Sequence, residues 1–266
     1  MPSRSVLVTG ASSGIGAACA EYLARAGWTV FAGVREEGAA PAGTTELLLD
    51  VTDGAAIEAA AAAVGERLDG LVDNAGIAVA APLEYLPLDE LRRQLEVNVV
   101  GQLAVAQALL PALRAAKGRI VIVGSIAGTS ALPFLGAYAI SKFALEAMAD
   151  SLRLELAPDG IHVSIIRPGT IATPIWTKPQ PLADELPPEA LERYGKRIDS
   201  MRSVAAARAA KAAPVESVVK AVVDALTAER PQTRYLVGRD AHLRAAVERL
   251  PDRIRDRVVG RLLLGQ

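Results

Sequence analysis

Val6-Leu7-Val8-Thr9-Gly10-Ala11-Ser12-Ser13-Gly14-Ile15-Gly16 passes from a β-branched apolar run into a glycine cluster and then into helix-forming sequence. That is the pattern of a strand, a tight turn and a helix start. Gly10 lets the chain turn where the strand ends. Gly14 brings backbone N–H groups close to a pyrophosphate at the helix N-terminus, where the dipole favours negative charge. Gly16 lets the helix pack closely on a sheet. Gly10, Ser12, Ser13, Gly14, Ile15 and Gly16 are therefore candidate cofactor-binding positions. The spacing is GxxxGxG, not the commoner GxGxxG. Taken alone, such a cluster also describes an ordinary strand-to-helix turn.

The same alternation continues outward. Ser5–Thr9, Thr29–Val34, Glu46–Asp50, Gly70–Asp73, Arg119–Gly124, His162–Arg167 and Arg234–Val237 read as strands. Most are continuously apolar, as expected of strands covered on both faces. Gly14–Ala26, Ala55–Arg67, Leu88–Ala116, Ala137–Ala157 and Val215–Thr227 read as helices. The rhythm predicts an α/β fold, a doubly wound parallel sheet of about seven strands between helical layers. No repeat or linker divides the chain, so residues 1–266 are expected to form one domain. Two regions break the rhythm: a proline-rich then Arg/Ala-rich stretch over 174–213, placed like an active-site lid, and an amphipathic Arg-rich tail over 240–266. The tail reads as helices packed on the domain or on a second subunit, with membrane-surface binding as the alternative.

Composition narrows the function. A net charge of −1 over 266 residues gives no global attraction for nucleic acid or an acidic membrane. The single cysteine, Cys19, excludes an intramolecular disulfide and fits a reducing, cytoplasmic setting. The N-terminus does not read as a signal peptide. The longer apolar stretches are Ala-rich, interrupted by charges and expected to fall short of a membrane span. No His/Cys/acid spacing points to a metal.

Tyr138 and Lys142 lie four residues apart on a predicted helix and so share a face. Many surface helices carry such a pair. Ser125, just past a predicted strand, also reads as a cap. Asn98 sits inside the apolar Val97–Val100 segment, and a buried amide needs polar partners.

Together these pieces resemble the classical short-chain dehydrogenases/reductases, in order: Thr9–Gly16, Asp50-Val51, Asn74-Ala75-Gly76, Asn98, Ser125, Tyr138-Ala139-Ile140-Ser141-Lys142 and Pro168-Gly169. The likeness runs from Ser5 to about Val237 and extends more weakly to the hydroxysteroid and retinol dehydrogenase branch. It implies a Rossmann-type sheet and an NAD(P)-dependent oxidoreductase interconverting an alcohol and a ketone or aldehyde. It further implies that Asp50 and Val51 meet the adenine and that Asn74, Ala75 and Gly76 support the strand end and ribose. Pro168, Gly169, Ile171 and Thr173 would hold the carboxamide. Tyr138 would be the general acid/base, with Ser125 on the substrate oxygen. Lys142 would grip the ribose, and Asn98 would join a water relay ending at Lys142. A free tyrosine titrates near 10, so the Lys142 ammonium and the cationic nicotinamide are expected to favour the phenolate.

Val34, eighteen residues past Gly16, cannot accept a hydrogen bond from the adenosine ribose, whereas Arg35 can pair with a 2′-phosphate. With a hydroxyl from Ser13, this favours NADP(H) over NAD(H); Glu36 and Glu37 would reverse the preference if the turn is shifted. Leu132, Pro133, Phe134, Leu135, Ile175 and Trp176 suggest an apolar pocket, with Ser125, Phe134, Tyr138 and Trp176 around a lipophilic alcohol or carbonyl. The competing readings are a catalytically silent nucleotide sensor and a lyase or epimerase using transient hydride transfer. The resemblance also implies a homodimer or homotetramer built on Leu88–Ala116 and Ala137–Ala157.

Overall fold

Seven strands stand in the order β3-β2-β1-β4-β5-β6-β7, and every neighbouring pair is parallel. The structure is a computed structural model that describes residues 4–173, 175 and 186–264. The strands are β1 Ser5–Thr9, β2 Thr29–Val34, β3 Thr45–Leu48, β4 Gly70–Asp73, β5 Arg119–Val123, β6 His162–Pro168 and β7 Arg234–Val237. The helices between them are α1 Gly14–Arg25, α2 Gly54–Val64, α3 Leu88–Leu95, α4 Gly101–Ala116, α5 Gly136–Leu156, α6 Pro188–Ala209 and α7 Glu216–Thr227. Two more follow β7: α8 Arg239–Val247 and α9 Asp252–Leu264.

Alternation along the strands feeds two cores. Val6 and Val8 point to one face, with Leu23 of α1 and Val218 and Val222 of α7. Leu7 points to the other, with Leu109 and Leu113 of α4 and Leu145 of α5. These side chains are fully buried or nearly so. Each contributes about 1.5–3 kcal/mol relative to exposure. Register is fixed because a one-residue slip would exchange the two cores.

Two elements differ from their sequence reading. β3 begins and ends earlier than Glu46–Asp50. The Asp50 carboxylate instead accepts from Thr52 N at 2.9 Å and Thr52 Oγ1 at 2.8 Å, which turns the chain out of the sheet. The expected helix Leu88–Ala116 is interrupted by a π-helical segment at Glu96–Val100, centred on Asn98. This wide turn lets Asn98 leave the helical pattern and reach its partners. The run Leu88–Ala116 is also long and apolar enough to cross a membrane by length and composition, contrary to expectation. Here Val105, Leu109 and Leu113 of that run pack into the sheet core.

The stretch expected as a lid contains α6 among its described residues, and Leu186, Ala190 and Ile198 pack there with Tyr85, Phe134 and Tyr194. Of the tail, α8 contacts the C-terminal end of the sheet while α9 packs on α6.

Candidate active site

The chain leaves β1 toward β2, and β4 lies on the opposite side of β1, so the sheet opens into a crevice at the strands' C-terminal ends. A cleft of about 1640 Å³ lies over those ends. Gly10 and Gly14 have φ of +63° and +59°, conformations that favour glycine. A Cβ on Gly16 would lie 2.3 Å from the Gly10 carbonyl oxygen, so only glycine allows this approach of helix to loop. Asn74 fastens the loop: its Nδ2 donates to Thr9 O at 2.9 Å and Gly10 O at 3.2 Å. Thr9 Oγ1 accepts from the N–H groups of Asn74 and Ala75, both at 2.9 Å.

Of the expected cofactor positions, Gly10, Ser12, Ser13, Gly14, Ile15, Arg35, Asp50, Val51, Asn74, Ala75 and Gly76 line this cleft. So do Tyr138, Lys142, Pro168, Gly169, Ile171 and Thr173. Gly16 does not; it is buried under Gly10. Ser13 stands at the N-cap of α1 without a side-chain capping bond. Arg35 is exposed at the cleft, while Glu36 and Glu37 are not among the residues lining it. Bonds from Thr52, with the Arg35 charge beside it, hold the Asp50 carboxyl below its ordinary range. Open N–H groups at a helix start, a glycine-walled approach and a cation past β2 fit a nicotinamide dinucleotide.

The expected catalytic residues converge from three elements. Ser125 follows β5 and accepts from Ala127 N at 3.1 Å, so it is indeed a cap. Its hydroxyl also lies near enough to the Tyr138 phenol to favour the phenolate. Tyr138, on the first turn of α5, is buried. Lys142, one turn later, donates from Nζ to Val123 O at 2.9 Å and lies 5.7 Å from the Tyr138 ring centroid. Asn98 lies behind the cleft, not on it. Its Oδ1 accepts from Ile77 N at 2.8 Å, and its Nδ2 donates to Ile77 O at 3.0 Å and Ser141 Oγ at 3.1 Å. Ser141 Oγ in turn donates to Tyr138 O at 2.7 Å.

The electrostatics differ from expectation. Burial pushes the Tyr138 phenol up, opposed by the Ser125 hydroxyl and by the positive charge of Arg244. Burial also pulls Lys142 down to about 8, opposed by Asp73. Desolvation is therefore the largest influence on Tyr138, and among the described residues Arg244 is a cation that acts on the phenol.

Sequence reasoning missed three groups. Asp73 is fully buried under Lys142's charge, accepts from Thr9 Oγ1 at 3.2 Å and is pushed up to about 8 by burial. Asp240 and Arg244, on α8, reach the cleft region from the far end of the chain. Only their spacing of four on an amphipathic tail hinted at a shared face. On the expected substrate side, Phe134 lines the cleft with φ +64° and packs edge-on to Tyr194 of α6 at 5.9 Å. A left-handed bulky residue is strained and must be held by its surroundings. Trp176 lies outside the described residues.

Comparison with known proteins agrees with this geometry. The pattern of the family described as short chain dehydrogenase matches residues 4–181. The chain is 42% identical over 256 residues to 3-amino-tetrahydro-pyrrolizinone reductase of Xenorhabdus hominickii, covering 91% of this chain and 89% of that protein. It is 36% identical over 278 residues to NADPH-dependent 3-dehydrocapnine reductase of Ornithobacterium rhinotracheale, covering 96% and 95%. Retinol dehydrogenase 5 of Mus musculus is also 36% identical, over 96% of this chain and 87% of its own. Among solved structures, a short-chain dehydrogenase from Streptomyces avermitilis superposes with a TM-score of 0.79 at 30% identity, covering 98% and 96%. One from Burkholderia cenocepacia J2315, in complex with NADP, gives 0.77 at 28% identity, covering 98% of both chains.

Proposed function

This chain belongs to the short-chain dehydrogenase family and is an NAD(P)-dependent oxidoreductase of CH–OH groups, and we propose that Tyr138 is its general acid/base, on a lipophilic ketone or alcohol, with NADP(H) preferred. The observation that carries the chemical assignment is the meeting of Ser125, Tyr138 and Lys142 in one cleft. When bound, the nicotinamide supplies or accepts a hydride. Tyr138 gives its proton to the carbonyl oxygen in reduction and removes it from the alcohol in oxidation. Ser125 holds the same oxygen and steadies its developing charge. Lys142, tied to Val123 O, holds the ribose hydroxyls. Asn98 stands behind them, linked to α5 through Ser141, and forms the inner end of the relay.

Arg35 at the cleft, with Glu36 and Glu37 off it, supports NADP(H), as do the NADPH-dependent relative and the NADP-bound structure. Leu132, Phe134, Leu135, Leu186 and Met201 support a lipophilic substrate. Exposed Val100, Ile140, Phe143 and Leu154, on the π-segment and α5, support a self-complementary dimer face. We place the protein in the cytoplasm, where the buried Cys19 thiol stays reduced.

The test is absorbance of the reduced nicotinamide with ketones and aldehydes of increasing chain length. Consumption of NADPH at least tenfold faster than NADH, rising with chain length, is expected. Tight cofactor binding without turnover on any carbonyl would instead favour the nucleotide-sensing reading.

A further inference from the structure

The helix that follows the sheet is built into the cleft. Asp240, in the first turn of α8, accepts from Thr170 N at 2.7 Å and Thr170 Oγ1 at 2.8 Å. This ties α8 to the loop after β6. Four residues later, on the same face, Arg244 lines the cleft. Its Nε donates to Ser130 Oγ at 3.3 Å and its Nη2 donates to the Ser130 carbonyl, so the guanidinium plane is anchored on the loop between Ser125 and Tyr138. Its Nη1 has no partner among the described residues and is not sealed away from solvent.

Positive charge gathers on this side of the cleft. Arg208 of α6 also lines it, and the two guanidinium groups repel each other. Asp240 and Glu248 offset part of the Arg244 charge from a distance, while the Asp240 carboxylate is bonded to Thr170 and Glu248 pairs with Arg255 at 3.4 Å. Neither Arg208 nor Arg244 has an ion pair among the described residues. The described acids that line the cleft, Asp50, Glu90 and Glu96, belong to the segment after β3, to α3 and to the π-segment. Desolvation, and after it the Arg208 charge, pull Arg244 down to about 10. A half-buried guanidinium with no ion pair and a free Nη1 edge is suited to a forked anion.

We propose that Arg244, assisted by Arg208, binds an oxyanion carried by the substrate, so that the substrate is an amphiphilic oxo or hydroxy acid with an apolar body and a carboxylate-like group. This rests on the oxidoreductase reading above and refines it. The apolar side of the cleft takes the body and Tyr138 meets the carbonyl. The arginines take the charged group and fix which carbon faces the nicotinamide. Arg244 is then a specificity residue whose charge also favours the Tyr138 phenolate.

The test does not depend on turnover. With the protein saturated with NADPH, so that the phosphate sites are filled, binding of hexanoate and of hexanamide is measured by calorimetry. Hexanoate is expected to bind at least tenfold more tightly. Arg244→Gln is expected to weaken hexanoate about thirtyfold and hexanamide less than threefold, and Arg244→Lys to retain part of the preference. If Arg244→Gln does not fold, Arg208→Gln carries the test, because the Arg208 side chain has no hydrogen bond to lose among the described residues; a loss of about fivefold for hexanoate alone is expected. Equal binding of the two probes, or a preference that survives both glutamine variants, overturns the proposal. Intact, arginine-dependent carboxylate binding without reduction of any oxo acid would uphold the anion site and remove only the oxidoreductase reading.

Discussion

Replacing Asn98 by alanine removes three hydrogen bonds from a fully buried position. The losses are unequal. Ile77 O keeps the bond from Gln94 Nε2 at 2.9 Å, and Ser141 Oγ keeps its bond to Tyr138 O. Ile77 N has no second partner, so it becomes an unmet donor. An unmet buried donor costs about 1–3 kcal/mol, and the space left by the side chain adds to it, for a total of about 2–4 kcal/mol. Urea unfolding should show the midpoint falling with the slope unchanged. Because Ser141 and Tyr138 hang on the same chain of bonds, kcat should fall while cofactor affinity stays within threefold. Asn98→Asp keeps the acceptor for Ile77 N but sets a carboxylate against Ile77 O, so it should be at least as damaging. A loss below about 0.5 kcal/mol for Asn98→Ala would refute the view that this amide is a structural keystone of the π-segment.

Gly16→Ala places a Cβ 2.3 Å from the Gly10 carbonyl oxygen; the loop must shift, and cofactor affinity should fall at least tenfold by fluorescence titration. Arg35→Glu should lower the NADPH-to-NADH preference in kcat/KM by tenfold or more; an unchanged ratio would mean that Arg35 is only a solvated charge. Asp73 titrates near 3.8 when unfolded and at about 8 when folded. Between those values the folded chain holds a proton that the unfolded chain has released, so this group's contribution to stability is lost as pH rises toward 8. Wild-type stability should therefore decline from pH 5.5 to 7.5 more steeply than that of Asp73→Asn, measured by denaturant midpoints.

The strands and the phosphate loop were legible because their causes are local. β-branched runs make strands, and a left-handed turn needs glycine at Gly10 and Gly14. The order of Ser125, Tyr138 and Lys142 was legible through the family resemblance, not through the residues singly. The break at Asn98 was not, because apolar residues keep helical spacing straight through it and only Ile77 and Ser141, far off in sequence, reveal the amide's demand. The direction of the Tyr138 shift was also hidden: sequence shows the nearby lysine but not how deeply both groups are buried. Arg244 was invisible for the same reason. Its partner Ser130 stands 114 residues away, and an arginine in an amphipathic tail looks like a solvated charge.

The most direct test of the account is Tyr138→Phe, measured on any carbonyl that the wild type reduces. The phenyl ring keeps the packing against the Lys142 side of the site and removes the proton. The expected result is a fall in kcat of about 10²–10⁴-fold, with cofactor affinity and unfolding midpoint nearly unchanged. A variant that folds, binds cofactor and turns over within threefold of wild type would contradict the assignment of Tyr138 as the proton carrier.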